Sequence, residues 1–196
     1  KLGKPIYAMI RPRGGDFIFN FEDMDVMLHD IDTCRKYGMA GIVIGITHEN
    51  SALDTQKLKR LIDHAEGMGV TLHRAFDVTP DTSEALEIAI ELGIERILTS
   101  GQKETAIEGA FNIKSVIEKA AGRISIMPCS KINPPNLENL FKIFKTGEVH
   151  SSCRTIVGSP YTENAPSMAP GDDFSRHITD PVKVRAIRDY LASLGD

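Results

Sequence analysis

The stretch HAEGMGVTLHRAFD, residues 64–77, carries the pattern that decides the fold of this chain. It begins with the end of an amphipathic helix, passes through glycine, continues as a short apolar run and finishes in polar residues. Glycine readily takes the left-handed conformation that ends a helix, and a short apolar run bounded in this way is typical of a buried parallel strand. The stretch therefore predicts a helix–strand unit whose strand ends in His73, Arg74 and Asp77.

The same pattern recurs four more times along the chain. It reads CRKYGMAGIVIG at 34–45, IELGIERILTSG at 90–101, KAAGRISIMP at 119–128 and FKTGEVHSS at 144–152. With an apolar run near the N-terminus, these repeats predict six strands, near residues 5–10, 41–46, 70–75, 95–99, 124–127 and 147–150, each followed by a helix. Strands that alternate with helices in this way indicate an α/β fold with a parallel sheet.

Almost every predicted strand ends in polar residues, and this favours a barrel over an open sheet. A doubly wound sheet builds its ligand site at one switch point, so only a few of its strand ends carry chemistry. A barrel gathers all its strand ends around one mouth. The chain also lacks a G-x-G-x-x-G motif after its first strand. We therefore expect a (β/α)8 TIM-barrel type fold, as a single domain over residues 1–196.

Six βα units are two fewer than a complete barrel contains. The first residues, KLGKP, read like the tail of a preceding helix, because Leu2–Gly3 matches Leu92–Gly93 in the repeat. We expect the domain to be truncated at its N-terminus, without the first two βα units. We also expect the exposed parallel edge to be covered by another copy of the chain, or by a rearranged closure.

The composition excludes several classes of partner. A net charge of −4 and a pI near 5.9 argue against nucleic acid, whose phosphates need a basic face. No apolar run approaches the roughly 20 residues that a membrane helix needs. Three cysteines without zinc-type pairing indicate a reducing, cytoplasmic setting.

The loop RPRGGDF, residues 11–17, offers a site for an anion. Arg11 and Arg13 flank a proline, and the two glycines that follow let backbone amides face a ligand. These residues predict binding of a carboxylate or phosphate group. The alternative is an ordinary turn in which Asp16 pairs with one of the arginines or caps the turn.

The polar end of the opening stretch is the candidate catalytic site. His73 is predicted to lie at the strand end, where its imidazole could act as a general acid, a general base or a metal ligand, and Asp77 is predicted to orient either His73 or Arg74. Arg74 is predicted to bind substrate. Ser100 follows the next strand, where hydroxyl groups and free amides bind anions or merely cap a helix. His73 filling the barrel mouth without a catalytic role is the other interpretation.

The end of the chain's last repeat suggests a metal site. His150 and Ser151 are predicted to reach the same mouth and to bind substrate. Cys129 and Cys153 follow consecutive strands, so their thiols, with His150, could hold Cu(I) or zinc. A disulfide between the two cysteines, or two unrelated loops, are the alternatives.

Three further features receive simpler interpretations. The helical spacing of Met24 and Cys34 favours core packing, although Met24 and Met27 also resemble a copper-type M-x-x-M pair. Residues 158–174 are predicted to form an extended loop, either a lid over the mouth or an oligomer contact.

Four motifs, taken in order, resemble those of the copper homeostasis protein CutC family. They are IRPRGGDF at 10–17, TLHRAFD at 71–77, ERILTSGQ at 95–102 and EVHSS at 148–152. The resemblance implies an incomplete (β/α)8 barrel that forms homo-oligomers in the cytoplasm and takes part in copper handling. Two departures matter. The N-terminal segment that carries the family's usual copper cysteines is absent, and MPCSKINPPN at 127–136 replaces a glycine run.

Two classes of function follow. The first is a protein that binds or traffics Cu(I), with copper held by soft ligands at the mouth. The second is an enzyme that acts on a small anionic substrate, with Arg11, Arg13 and Arg74 as clamps and His73 with Asp77 as the acid–base pair. A bound sulfate or phosphate near Arg11 would favour the enzyme, and a stoichiometric Cu(I) titration would favour the metal protein.

Overall fold

The structure is a computed structural model that describes residues 3–158 and 175–194. The loop predicted at 158–174 lies outside the described residues, apart from Gly158. The strands and helices alternate from the N-terminus. In chain order they are β1 Tyr7–Met9, α1 Phe21–Lys36, β2 Gly41–Ile44, α2 Thr55–His64, β3 Gly69–Leu72, α3 Thr82–Glu91, β4 Arg96–Thr99, α4 Ala110–Ala120, β5 Ser125–Pro128, α5 Pro134–Ile143, β6 Arg154–Val157, β7 Arg176–Thr179 and α6 Pro181–Ala192.

The first five strands form one parallel sheet in the order β1-β2-β3-β4-β5. Each strand pairs with the next one along the chain, as in a (β/α)8 barrel, so every carboxyl end lies at the same edge. This arrangement confirms the predicted α/β fold of barrel type. Four of the predicted helix-ending glycines, Gly38, Gly67, Gly93 and Gly122, have φ between +68° and +84°.

The hydrophobic core lies between the sheet and its helices. Alternate residues of the strands, such as Ile42, Leu72 and Ile97, are fully buried against helical side chains. Met24 and Cys34 of α1 belong to this core, which confirms the interpretation from their helical spacing. Within residues 3–158 and 175–194, no helix combines the length and the apolar character needed to cross a membrane.

The predicted sixth parallel strand is wrong. The backbone of residues 147–150 lies beside β5 and makes one ladder bond, from His150 N to Pro128 O at 2.9 Å. Where the next ladder bond would form, the Thr146 hydroxyl donates to Ile126 O at 2.7 Å and accepts from Glu148 N at 3.4 Å. A side chain therefore takes the place of a direct amide–carbonyl bond. The segment follows the sheet without becoming a strand.

Two short strands that the sequence pattern does not reveal follow this segment. β6 and β7 pair antiparallel, from Arg154 opposite Thr179 to Val157 opposite Arg176. We call this pair the arm. Its apolar side chains include Ile156, which is 66% exposed, and Ile178, which is 43% exposed. The arm connects to the barrel through Asp180 N, which donates to Cys153 O at 2.8 Å.

Candidate functional site

The predicted site residues fall into three places, not into one cavity. We call the edge formed by the carboxyl ends of β1–β5 the mouth, and the space enclosed by the inner face of the sheet the lumen. Arg11 and His73 form one group at the mouth, and Arg74, Asp77 and Ser100 form a second. His150 faces the lumen.

The loop after β1 uses one of its arginines to hold its own shape. Arg13 Nη1 donates to Asp16 Oδ1 at 3.0 Å, and Arg13 Nε donates to Asp23 Oδ2 at 3.2 Å. Asp16 Oδ1 also accepts from Ile18 N at 3.1 Å. The alternative in which Asp16 pairs with an arginine is therefore confirmed. The Arg13 guanidinium is already paired with two carboxylates.

Arg11 is placed differently. Its guanidinium carbon lies 4.7 Å from the centre of the Phe17 ring, and its Nη2 donates to Gly15 O at 2.6 Å. Its Nε is buried and has no hydrogen-bond acceptor among the described residues. An unmet buried donor costs about 1–3 kcal/mol, so this nitrogen needs an explanation.

His73 is a buried, neutral imidazole. The residue is 3% exposed, and its Nδ1 accepts a hydrogen bond from Ala75 N at 3.1 Å. Burial, followed by the nearby charge of Arg11, lowers the pKa of His73 to about 4. The proton of the neutral ring is therefore assigned to Nε2, and this nitrogen too has no acceptor among the described residues.

Asp77 organises the loop that follows β4. Its carboxylate is 4% exposed and accepts from Arg74 Nε at 2.8 Å, which confirms Arg74 as its partner. It also accepts from the Thr99 hydroxyl at 2.5 Å, from Ser100 N at 3.0 Å and from Gln102 N at 3.1 Å. No hydrogen bond joins Asp77 to His73. The predicted acid–base pair is therefore not formed.

The hydroxyl groups after β4 are already engaged. Ser100 is fully buried, and its Oγ lies 3.0 Å from Asp77 Oδ2 and 2.8 Å from Arg74 Nη2. The helix that follows, α4, begins only at Ala110, nine residues after Gly101. These positions support neither an anion site at a helix N-terminus nor plain capping of α4 by Ser100. Ser100 instead holds Asp77 and Arg74 together.

The lumen holds a cavity of about 640 Å³. Its walls come from the inward-facing residues of the strands and of the segment beside β5. They are Pro5, Tyr7, Met9, Val43, Thr71, Arg96, Leu98, Met127, Glu148, Val149 and His150. Of the predicted site residues, only His150 lines this cavity. The sequence analysis did not predict the remaining lining residues. The alternation of side chains along each strand nevertheless places those of the strands on one face of the sheet.

A network around Arg96 lines one end of the lumen. Its guanidinium makes a two-point ion pair with Glu148 and donates to Glu95 Oε1 at 2.9 Å. The Tyr7 hydroxyl donates to the same Glu95 oxygen at 2.5 Å. Because Arg96 and Tyr7 begin their strands, this network lies at the end opposite the mouth. In barrels that end serves stability.

The predicted thiol site is not assembled. All three cysteines are free and buried, so the alternative of a Cys129–Cys153 disulfide is not formed. Burial raises the pKa of the Cys129 thiol to about 12, which disfavours the thiolate that binds metals. The Cys153 thiol contacts Ser151 Oγ at 3.4 Å, and Ser151 itself donates to Ile132 O at 2.6 Å. Among residues 3–158 and 175–194, no three His, Cys, Asp or Glu side chains form a metal-binding group.

Soft donors of another kind do face the lumen. Met9 and Met127 line the cavity together with His150. Thioether and imidazole groups are ligands that suit Cu(I). Burial lowers the pKa of His150, which favours the neutral imidazole that a metal requires. The soft donors on this wall are therefore thioether and imidazole groups, not the thiols of the predicted cysteines.

Comparison with known proteins gives a consistent result. The model of the CutC family matches residues 2–155. A family protein CutC from Sinorhizobium medicae is 47% identical over 198 residues, which span 97% of this chain and 77% of that protein. One from Histophilus somni is 44% identical over 94% of this chain and 77% of its own length.

A solved structure agrees with these relatives. The protein from Streptococcus agalactiae, named a copper homeostasis protein CutC, superimposes with a TM-score of 0.73 and is 31% identical. The match covers 76% of this chain and 72% of that chain. On the match of the family model and the identity to these relatives, this chain belongs to the CutC family.

Proposed function

We propose that the protein serves copper homeostasis in the cytoplasm and binds Cu(I) as its cargo in the lumen. The observation that carries the proposal is the set of three soft donors, Met9, Met127 and His150, on the wall of one cavity. The name of the Streptococcus agalactiae relative supports the same role.

The chemistry of the lumen suits a monovalent soft ion. Thioether sulfurs carry no charge, so two of them with a neutral imidazole leave the ion's positive charge unneutralised. Glu148 lines the same cavity, but its carboxylate is paired with Arg96. Hard divalent cations prefer carboxylate oxygens, so this wall favours Cu(I) over Mg²⁺ or Ca²⁺.

The enzyme alternative has less support. Its acid–base pair needs His73 to change protonation near neutral pH, whereas the pKa of His73 is held at about 4. Its second member, Asp77, is held by Arg74 and the residues after β4. A small anionic ligand at the mouth remains compatible with the copper role.

We also propose that the chain assembles with copies of itself. β1 pairs only with β2 among the described strands, so its other edge has no strand partner there. A two-stranded sheet such as the arm is marginal in water on its own, yet Ile156 and Ile178 are exposed on it. Sedimentation of wild type against Ile156→Lys tests this: we expect an oligomer that the substitution weakens.

A competition titration tests the copper proposal. Reduced, anaerobic protein is titrated against a Cu(I)–bicinchoninate complex, and wild type should withdraw one equivalent of Cu(I). We expect Met9→Leu, Met127→Leu and His150→Gln each to weaken Cu(I) binding by about tenfold or more, because each removes a ligand. Met27→Leu is the matched control, because Met27 is fully buried in the core away from the lumen. Wild-type affinity in the triple variant would refute the site.

A further inference from the structure

His73 presents one hydrogen-bond donor that its surroundings do not use. Its Nδ1 is occupied by the amide of Ala75, so its remaining nitrogen, Nε2, carries the proton. The residue is 3% exposed, and Nε2 has no acceptor among the described residues. Buried donors in native proteins are nearly always paired, so this N–H points to a partner that residues 3–158 and 175–194 do not supply.

Arg11 has a charge that its surroundings do not match. Three other arginines near the ends of β1, β3 and β4 have carboxylate partners: Arg13 has Asp16 and Asp23, Arg74 has Asp77, and Arg96 has Glu95 and Glu148. Arg11 has no ion pair among the described residues. Its contacts are the Gly15 carbonyl and the face of Phe17, and its buried Nε has no acceptor there.

The two side chains that carry these donors lie against the same aromatic ring. Phe17 lies against both side chains: its ring centre is 4.7 Å from the Arg11 guanidinium carbon and 4.8 Å from the centre of the His73 ring. Gly45, after β2, lies between the strands that carry them, and a Cβ there would clash with the His73 ring. The absence of a side chain at Gly45 lets the imidazole lie across the mouth towards Phe17.

We propose that Arg11 and His73 bind the oxyanion group of a small ligand, a carboxylate or a phosphate, at the mouth. A guanidinium N–H beside a neutral imidazole N–H supplies two donors and one positive charge, so the matching group is an anionic acceptor. The imidazole only donates a hydrogen bond, and no proton is transferred. This site is separate from the proposed Cu(I) site, because neither Arg11 nor His73 lines the lumen cavity.

Calorimetric titration of the intact protein tests the proposal. The probes are sodium phosphate and sodium acetate, each added at constant ionic strength maintained with sodium chloride. We expect one of the two anions to bind saturably, and the one that binds identifies the group. Arg11→Gln should weaken that binding by about tenfold or more, because it removes the charge-assisted hydrogen bond. Arg60→Gln is the control for the loss of one positive charge, because Arg60 is exposed on α2 and is not part of the loop that carries Arg11 and Phe17.

The NMR resonance of the His73 Nε2–H proton distinguishes a direct hydrogen bond to the anion from a general effect of ionic strength. In ¹⁵N-labelled wild type, the bound anion should shift the Nε2–H proton of His73 downfield, whereas chloride alone should not. The proposal is overturned if neither anion saturates, if Arg60→Gln weakens binding as much as Arg11→Gln, or if the His73 resonance does not respond to an anion that binds. A failed Cu(I) titration would leave each of these outcomes unaffected.

Discussion

Replacing Asp77 by alanine tests whether its carboxylate holds the second group at the mouth. Two of its donors, the Ser100 amide and the Thr99 hydroxyl, belong to residues with no solvent exposure. Leaving a buried donor unmet costs about 1–3 kcal/mol. Arg74, whose side chain is 43% exposed, can turn to water and adds little. We therefore expect Asp77→Ala to lower the free energy of unfolding by about 3 kcal/mol, and by up to about 5 if the loop cannot relax.

Urea denaturation followed by circular dichroism measures this loss. Asp77→Asn keeps one oxygen acceptor in the same place and should lose about half as much. Asp63→Ala is the control, because Asp63 is 61% exposed and its pair with Lys59 should contribute about 0.5 kcal/mol at most. A loss below about 1 kcal/mol in Asp77→Ala, or one no larger than in the control, would refute the role assigned to the carboxylate.

Three further predictions concern Gly45, His73 and the buried cysteines. Gly45→Ala should lower the free energy of unfolding by about 1–3 kcal/mol, because the added Cβ would clash with the buried His73 ring. Gly14→Ala is the control and should leave the free energy of unfolding unchanged, because a Cβ at position 14 would contact no other atom. Since the pKa of His73 is about 4 when folded and 6.5 unfolded, the unfolded state binds more protons between these values. Stability should therefore fall by about 3 kcal/mol as the pH drops from 6.5 to 4, a slope that thermal melts of wild type should show and those of His73→Gln should lack. The three buried cysteines should react with Ellman's reagent only after unfolding, and rapid labelling of Cys129 in native protein would contradict the burial and the raised pKa of its thiol.

The α/β barrel type was predictable because its signals are local. The glycine after each helix and the apolar run that follows depend only on neighbours in sequence, and Gly38, Gly67, Gly93 and Gly122 take the expected positive φ. The fifth repeat shows where this reasoning ends. Gly147 follows the same pattern in sequence, but the Thr146 hydroxyl donates to Ile126 O of β5 and replaces a ladder bond there. Local periodicity in the sequence does not predict a contact between residues so far apart in the chain.

The candidate site was predictable in part for a related reason. Position at a strand end identified Arg11 and His73 as mouth residues, and the structure joins them through Phe17. The spacing of His73, Arg74 and Asp77 did not predict which of the two residues Asp77 would contact, because that depends on the direction of the Asp77 side chain. The soft donors Met9 and Met127 were missed because a methionine in an apolar run usually belongs to the core, and the apolar run of a parallel strand does not show which of its residues face the lumen.

The arm has a consequence for engineering the chain. Val157 and Arg176 are paired across it, so the 18 residues from 158 to 175 begin and end within one strand spacing of each other. The parallel sheet is built entirely from residues before 129. A change in the number of residues between Val157 and Arg176 therefore leaves the connectivity of that sheet unchanged.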